Sequence, residues 1–289
     1  MEGKTVIITG GNRGLGKETA KTLAKKGAKI ILACRNLQAA CEAKEEIIRE
    51  SKNTNIFVKQ LNISSLKSVR AFAEEINSSE ERLDVLLHNA AIVPEKLQFT
   101  EDELELAMAT NHLGPFLLTH LLIELLKKSA PSRILVTSSV TYHFSSLNSK
   151  NLNLKTVPFL KSVRSIYFDS KFANICFTKE LARRLQGTGV TANCFHPGLV
   201  DTEIWTRAPS FFSWPLEIFN KMFFVTVEKG SETGVFLASS EDVEGVSGKY
   251  FVDYKQCRLW GSVNNEVKWK EMWDVSKKLV QLSISDSHI

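Results

Sequence analysis

The stretch that decides the fold is Thr5-Val6-Ile7-Ile8-Thr9-Gly10-Gly11-Asn12-Arg13-Gly14-Leu15-Gly16, near the amino end of the chain. Its first five residues form an apolar run of strand length, and a helical pattern follows the last glycine. Gly10 allows a tight turn, Gly14 lets the backbone approach a phosphate, and Gly16 lets the helix pack closely on the strand. The first helical N–H groups would then face a pyrophosphate. This context predicts a dinucleotide site rather than a flexible turn.

Apolar runs of strand length alternate with helical patterns along the chain. We predict helices from Leu66, from Thr100, where Glu103 would complete a capping box, and over Ser165–Leu185. Right-handed crossovers between such elements give a Rossmann-type α/β fold, a doubly wound parallel sheet in three layers, as a single domain over 1–289. Its ligand lies beyond the carboxyl ends of the strands. The predicted strands are Thr5–Thr9, Lys29–Ala33, Ile56–Leu61, Val85–His88, Arg133–Thr137, Thr191–Phe195 and Tyr250–Val252.

The composition is that of an ordinary globular protein, with 43% hydrophobic and 24% charged residues among 289. The net charge of +5 is spread along the chain, so a nucleic-acid partner is not indicated. The 5 cysteines lack Cys-x-x-Cys spacing and are read as reduced thiols, and the 6 histidines show no ligand spacing with them, so no metal site is expected. No run of about 20 apolar residues is present, and we expect a cytoplasmic protein.

The end of the second strand indicates which cofactor binds. An NAD enzyme of this architecture carries an acidic residue there to bind the ribose 2′-hydroxyl, whereas this chain has Cys34-Arg35-Asn36. Arg35 offers a planar donor fork, and Arg13 in the glycine loop adds a second cation. A 2′-phosphate suits these cations, so the sequence favours NADP(H) over NAD. The alternative is two solvated surface arginines.

The spacing Thr-Gly-x-x-x-Gly-x-Gly at the first strand resembles the short-chain dehydrogenase/reductase family. The resemblance implies an oxidoreductase and places more cofactor contacts after the third and fourth strands. Two departures occur, since Asn62 stands where the family commonly has Asp, and Ala91 where it has Gly. The predicted cofactor residues at this end are Gly10, Asn12, Arg13, Gly14, Leu15, Gly16, Arg35, Asn62, Ile63, Asn89 and Ala90.

Tyr167 and Lys171 stand four residues apart on a predicted helix, so both side chains project from one face. A phenol has a pKa of about 10, and we expect the nearby ammonium to lower the pKa of Tyr167. Tyr167 could then exchange a proton with a substrate oxygen. The family resemblance also implies that Tyr167 and Lys171 contact the cofactor. The alternative is a purely structural pair, an aromatic core residue beside a surface lysine. The position of the pair after the fifth strand disfavours it.

The resemblance completes a catalytic set of Asn111, Ser139, Tyr167 and Lys171. The fifth strand ends in two hydroxyls, and the family motif matches Ser139 as the residue that bonds the substrate carbonyl, with Ser138 as the alternative. Pro115 lacks an N–H for the carbonyl of Asn111, so we expect the helix to kink there. In the family, the matching asparagine holds a water that links the lysine to solvent.

The Pro-Gly turn after the sixth strand carries the remaining predicted cofactor contacts. The resemblance implies that Pro197, Gly198, Val200 and Thr202 contact the nicotinamide. His88 and His196 at strand ends are interpreted as structural.

Four longer stretches resemble the retinol dehydrogenase branch, whose members act on retinoids and other lipid-derived alcohols and aldehydes. They are Ser65–Ala73, Asn111–Gly114, Ser170–Asn174 and Glu180–Leu185.

The segment 203–228 is rich in aromatic residues and would form an apolar lid over the substrate. We therefore expect an NADP(H)-dependent enzyme that interconverts an alcohol and an aldehyde or ketone on an apolar substrate. A general carbonyl reductase of small xenobiotic ketones and a non-catalytic nicotinamide-binding regulatory protein are the alternatives. Peripheral membrane contact through 211–225 and a homodimer are further expectations.

Overall fold

A sheet of eight strands in the order β10-β9-β6-β5-β4-β1-β2-β3 runs through the centre of the molecule. The structure is a computed structural model, and it describes residues 1–154, 163–200, 224–283, 286 and 289. The strands are β1 (Thr5–Thr9), β2 (Lys29–Cys34), β3 (Ile56–Gln60), β4 (Val85–His88), β5 (Ser132–Thr137), β6 (Val190–His196), β7 (Leu199–Val200), β8 (Phe224–Val225), β9 (Tyr250–Val252) and β10 (Lys255–Cys257).

The predicted parallel sheet is confirmed, and each of the seven predicted strands is present within one residue of its expected bounds. Three short strands were not predicted. β10 adds an antiparallel edge to β9, while β7 and β8 pair with each other in a separate small parallel sheet. These strands have two or three residues each, which is too short for a periodic pattern to form.

Helices cover both faces of the sheet, which makes three layers. One buried apolar cluster contains residues of α1, α2 and α6, and the other contains residues of α3, α4, α5 and α7. The helices are α1 (Gly14–Lys25), α2 (Leu37–Ser51), α3 (Leu66–Ser79), α4 (Leu106–Lys128), α5 (Ser165–Arg184), α6 (Val227–Ser239) and α7 (Glu266–Leu279).

The helix predicted to begin at Thr100 is wrong in its start. The Thr100 hydroxyl accepts the backbone N–H groups of Asp102 and Leu104, which closes a turn instead of capping a helix. Glu103 lies at φ +55°, so it cannot be in the first turn of a helix. Helix α4 begins at Leu106, and the carboxylate of Glu105 caps it by accepting the N–H of Met108.

Where a kink was expected near Asn111, the structure has a π-helical turn over Ala109–Leu113 inside α4, and the kink itself stays a prediction. Such turns insert one residue into the helical ladder. Gly114 follows the turn and touches the loop after β3, because an added Cβ there would lie 1.9 Å from the carbonyl oxygen of Ile63. Only glycine permits this approach.

Helix α7 covers the outer face of α4 and α5. Its Trp273 is 1% exposed and contacts the rings of Phe116 on α4 and Phe177 on α5, at centroid distances of 5.0 and 5.9 Å. Helix α4 is long and apolar enough to span a membrane, but 89% of its most apolar window is buried in the protein. That burial is expected of a helix in the core of a globular fold.

Candidate active site

The glycine loop has the backbone that the sequence predicted. Gly10 and Gly14 lie at φ +65° and +51°, a region that favours glycine. A Cβ on Gly16 would lie 2.5 Å from both the Gly10 carbonyl oxygen and the Asn89 side-chain nitrogen. Helix α1 begins at Gly14, and the side chain of Arg13 does not cap it. The first turn of α1 thus has N–H groups that the Arg13 side chain does not cap, and such groups suit a phosphate.

Thr9, which the sequence reading did not assign to the site, joins the glycine loop to the loop after β4. Its hydroxyl oxygen accepts the N–H groups of Asn89 and Ala90, at 3.0 and 3.1 Å. The Asn89 side chain in turn donates to the carbonyls of Thr9 and Gly10. The last residue of β1 thus holds the two loops predicted to contact the cofactor. Its place immediately before Gly10 was the available signal.

The two arginines predicted to bind a 2′-phosphate lie at the ends of adjacent strands. Arg13 follows β1 and Arg35 follows β2, these strands pair in parallel, and both side chains are exposed. Between them, the backbone N–H groups of Gly11 and Asn12 donate towards the buried sulfur of Cys34, and burial raises the pKa of this thiol to about 11. The sulfur stays neutral and packs under the loop.

The loop after β3 supplies Asn62 and Ile63. The Asn62 backbone N–H donates to the hydroxyl of Ser68, and its side-chain oxygen accepts the hydroxyl of Ser64. Ile63 is 7% exposed and lies against Gly114. This loop is therefore held between α3 and α4 at the sheet edge where the glycine loop lies.

Tyr167, Lys171 and Ser139 lie together at the carboxyl end of β5. The hydroxyls of Tyr167 and Ser139 are hydrogen-bonded to each other. The Lys171 Nζ donates to the carbonyl of Thr137 at 3.0 Å and lies 5.2 Å from the centroid of the Tyr167 ring. All three side chains are at most 8% exposed. The predicted pairing of phenol and ammonium on one face of a helix is present in α5.

The expected acidification of Tyr167 is wrong for this structure. Burial raises the pKa of the Tyr167 phenol to about 12, and the hydrogen bond with Ser139 offsets only part of this rise. Burial also lowers the pKa of Lys171 to about 7, so the ammonium loses part of its charge near neutral pH. Low polarity disfavours both charged forms, and this effect exceeds the attraction between them. Near neutral pH the phenol is protonated.

Asn111 contacts the reacting end from the π-helical turn. Its side-chain nitrogen donates to the carbonyl of Ile92 at 2.9 Å and to the hydroxyl of Ser170 at 3.0 Å. Its side-chain oxygen accepts the Ile92 N–H. Ser170 lies next to Lys171, so Asn111 connects the loop after β4 to the helix that carries Tyr167. The four predicted catalytic residues are thus in one place.

The geometry separates the two serines at the end of β5. The hydroxyl of Ser138 donates to the backbone carbonyl of Lys171 at 3.0 Å. That contact anchors helix α5 to β5. Of the two serines, Ser139 is the one whose hydroxyl is hydrogen-bonded to the phenol of Tyr167. The structure therefore favours Ser139 as the substrate-binding hydroxyl.

The turn after β6 is described only as far as Val200. Gly198 lies at φ +89°, and a Cβ there would lie 2.8 Å from the Val225 side chain, so the turn needs glycine. Pro197 precedes it, and Val200 is the last residue of β7. Thr202 and residues 203–223 of the predicted lid lie outside the described residues. Residues 224–228 belong to β8 and the start of α6.

His88 and His196 are buried strand-end residues. The Nε2 atom of His88 bonds the Thr119 hydroxyl at 2.8 Å, and burial lowers the pKa of His88 to about 3. The Nδ1 atom of His196 has no hydrogen-bond partner among the described residues. Both rings are neutral at physiological pH, because burial also lowers the pKa of His196 to about 4. The bond to Thr119 supports a structural role for His88, and the Nδ1 atoms of both rings have no hydrogen-bond partner among the described residues.

Comparison with known proteins agrees with the geometry. Residues 4–150 and 159–211 match the family described as short chain dehydrogenase. Retinol dehydrogenase 14 of Homo sapiens is 43% identical over 98% of this chain and 88% of its own length. Retinol dehydrogenase 11 of Mus musculus is 42% identical over 98% of this chain and 88% of its own length.

Solved structures share the fold. An uncharacterized protein from Mycobacterium Paratuberculosis superposes with a TM-score of 0.75 at 27% identity, covering 97% of this chain and 94% of the other. The RhlG/NADP active-site complex of Pseudomonas aeruginosa superposes with a TM-score of 0.70 at 21% identity, covering 87% and 94%. The second likeness is one of fold alone.

Fold and site together define an oxidoreductase of the Rossmann type that acts on an alcohol or carbonyl group with a nicotinamide cofactor. The chain belongs to the short-chain dehydrogenase/reductase family, and within it to the retinol dehydrogenase branch.

Proposed function

We propose that this protein is an NADP(H)-dependent oxidoreductase that interconverts an alcohol and an aldehyde or ketone on an apolar, retinoid-like or lipid-derived substrate. The observation that carries the proposal is the buried contact between the hydroxyls of Ser139 and Tyr167, with the Lys171 ammonium beside the phenol. A carbonyl oxygen placed between these hydroxyls would receive two hydrogen bonds. The names of the relatives support the substrate class.

The protonation states suit carbonyl reduction. Because burial keeps the phenol protonated, Tyr167 can give its proton to the substrate oxygen, and Ser139 can hold that oxygen in place. The bound nicotinamide would supply the hydride. Lys171 stabilises the phenolate left behind, since its ammonium lies beside the ring. The glycine loop, Asn62, Ile63, Asn89, Ala90, Pro197, Gly198, Val200 and Thr202 are proposed to hold the cofactor.

The proposed chemistry is tested by following NADPH absorbance with retinaldehyde, a long-chain aldehyde and a small aromatic ketone. We expect carbonyl-dependent oxidation of NADPH, with the highest kcat/KM for the long apolar substrates. Tyr167→Phe should lower kcat by at least about 100-fold, because the proton donor is lost. Tyr250→Phe is the matched control, since it removes a buried hydroxyl that has no partner among the described residues.

Each alternative has its own outcome in this assay. Preference for the small ketone would favour a general carbonyl reductase. Binding of NADPH without turnover of any substrate would favour a regulatory protein. Equal activity of Tyr167→Phe and wild type would contradict the proposed chemistry.

The proposed preference for NADP(H) rests on Arg13 and Arg35, which are exposed at the ends of β1 and β2. We expect Arg35→Asp to raise the KM for NADPH by at least about 10-fold, because a carboxylate repels the 2′-phosphate and removes a donor fork. The KM for NADH should change little or fall. Lys25→Asp, a charge reversal at the far end of α1, is the control. A similar loss with both cofactors would contradict the assignment.

Residence in the cytoplasm, membrane contact through 211–225 and a homodimer stay predictions. The aromatic residues of the segment support an apolar partner, and most of the segment lies outside the described residues. Co-sedimentation with lipid vesicles tests the membrane contact, and analytical ultracentrifugation tests the homodimer.

A further inference from the structure

A line of hydrogen bonds runs from Lys171 to the C-terminal helix α7. The carbonyl oxygen of Thr137 accepts both the Lys171 Nζ at 3.0 Å and the Asn174 side-chain nitrogen at 3.3 Å. The Asn174 side-chain oxygen lies 3.2 Å from His112 Nδ1, and His112 Nε2 lies 2.9 Å from the hydroxyl of Ser276 on α7. All five residues are buried.

The direction of each bond follows from its partner. Since the Asn174 amide nitrogen donates to the Thr137 carbonyl, the amide oxygen must face His112 and accept from Nδ1. Burial lowers the pKa of His112 to about 4, so the ring is neutral and carries a single N–H. Its Nε2 must then accept the hydroxyl proton of Ser276. His112 therefore holds the Asn174 amide in one of its two orientations.

The Thr137 carbonyl connects this line of hydrogen bonds to Lys171, because it accepts from both Lys171 and Asn174. Thr137 is the last residue of β5, and Ser138 after it bonds the carbonyl of Lys171. The Lys171 ammonium takes its place beside Tyr167 while it donates to this oxygen. A carbonyl has two lone pairs, and the second is occupied by Asn174. If the Asn174 amide turned over, its oxygen would repel the Thr137 carbonyl.

We propose that Asn174, His112 and Ser276 are positioning residues, which hold the Thr137 carbonyl so that it keeps the Lys171 ammonium beside Tyr167. The effect on turnover rests on the proposed function. The effect on Lys171 itself does not, because these hydrogen bonds join groups of the protein itself. Helix α7 thereby acts on the active site through a buried polar contact in addition to its apolar packing.

The first test replaces Asn174 by aspartate, which has the same shape. Asp accepts from His112 but cannot donate to Thr137, and it places a carboxylate near the ammonium. We expect the Lys171 signal, followed by NMR of protein labelled with 13C-lysine and assigned with Lys171→Arg, to titrate at least about one pH unit higher than in wild type. The ionisable neighbours Tyr167 on α5 and His196 on β6 have pKa values of about 12 and about 4, so neither titrates in the same range.

The second test compares two buried histidines of α4. His112→Phe removes the bond to Asn174, whereas His120→Phe is the matched control, because His120 also packs against Phe116 but bonds only its own helix carbonyl among the described residues. We expect His112→Phe to move the Lys171 signal by more than its linewidth and His120→Phe to leave it in place. Displacements on the order of 1 Å near the chemistry are costly, so kcat should fall by about 10-fold in His112→Phe with the carbonyl KM within about 2-fold.

The outcomes separate this inference from the proposed function. A Lys171 signal unchanged in both folded Asn174→Asp and folded His112→Phe overturns the inference, even if turnover falls. A wild type without carbonyl reductase activity would contradict the proposed function, while the NMR titration would still decide the inference. If Asn174→Asp does not fold, His112→Phe and Ser276→Ala decide by the same signal.

Discussion

Two adjacent serines at the end of β5 have different partners, Ser138 the backbone of Lys171 and Ser139 the phenol of Tyr167. Adjacent residues of an extended strand point to opposite sides, so one hydroxyl faces the helix and the other faces the site. A motif match favoured Ser139 from the sequence, but a pair of identical side chains carries no local signal to separate them. The structure supplies that separation through the contacts of α5.

This difference predicts opposite phenotypes for the two serines. Ser139→Ala should lower kcat by about 100-fold, because it removes the proposed donor to the substrate oxygen, with little change in thermal stability. Ser138→Ala removes the hydrogen bond between β5 and the Lys171 carbonyl of α5, and we expect a loss of about 0.5–1.5 kcal/mol in the free energy of unfolding. Steady-state kinetics and thermal unfolding of both variants check this. A stability loss confined to Ser139→Ala would contradict the assignment.

The ionisation of the reacting residues shows what a sequence lacks at this scale. The spacing of Tyr167 and Lys171 correctly placed both groups on one helix face. It could not show that both lie buried, and burial raises one pKa and lowers the other. The spacing therefore predicted that the phenol and the amine lie together, but it gave the wrong direction for the acidity of the phenol.

At the scale of elements, the sequence predicted best where long-range packing and local pattern agree. The strands with continuous apolar runs and α5 had nearly correct bounds. The region after Thr100 shows the reverse, because the capping-box pattern is present but the chain at Phe99 bridges to Glu105 and closes a turn instead. The edge strand β10 is polar and gains its place only by pairing with β9. Local periodicity predicts neither the turn after Thr100 nor the edge strand β10.

The contact between α4 and the loop after β3 gives a prediction about an element. Gly114→Ala would place a methyl group 1.9 Å from the Ile63 carbonyl oxygen, and backbone cannot move aside as a flexible side chain can. We expect a loss of at least about 1–3 kcal/mol in the free energy of unfolding and a higher KM for NADPH, since Ile63 belongs to the proposed cofactor site.

The matched control for Gly114 is Gly234→Ala in α6. Its Cβ would first meet the far end of the Phe195 ring at 3.1 Å, which needs only a small shift. Both changes gain the helix preference of alanine, so the difference between them measures the contact. Equal melting temperatures for the two variants would show that the loop after β3 can move away from the added methyl group at little cost, which would contradict the prediction.

At the scale of the whole molecule, buried histidines make stability depend on pH. Burial lowers the pKa of His88 to about 3 and of His112 and His120 to about 4, from 6.5 in the unfolded chain. Between about pH 6.5 and 4 the unfolded state binds more protons than the folded state, so stability falls as the pH falls. Each histidine contributes up to about 1.4 kcal/mol per pH unit in that window.

Urea unfolding at a series of pH values between about 7 and 5 checks this dependence. His120→Phe should flatten the dependence, because one buried titrating group is lost while the ring packing is kept. A slope that is the same in His120→Phe and wild type would contradict the prediction.

The covering of α4 and α5 by α7 also has a consequence for biosynthesis. A ribosome makes Phe116 and Phe177 well before Trp273, so a nascent chain displays the apolar face of both helices to its surroundings until α7 emerges. Such a face is a target for chaperones and a source of aggregation. The central helices can therefore be translated early, but their packing is completed only after α7 has been translated.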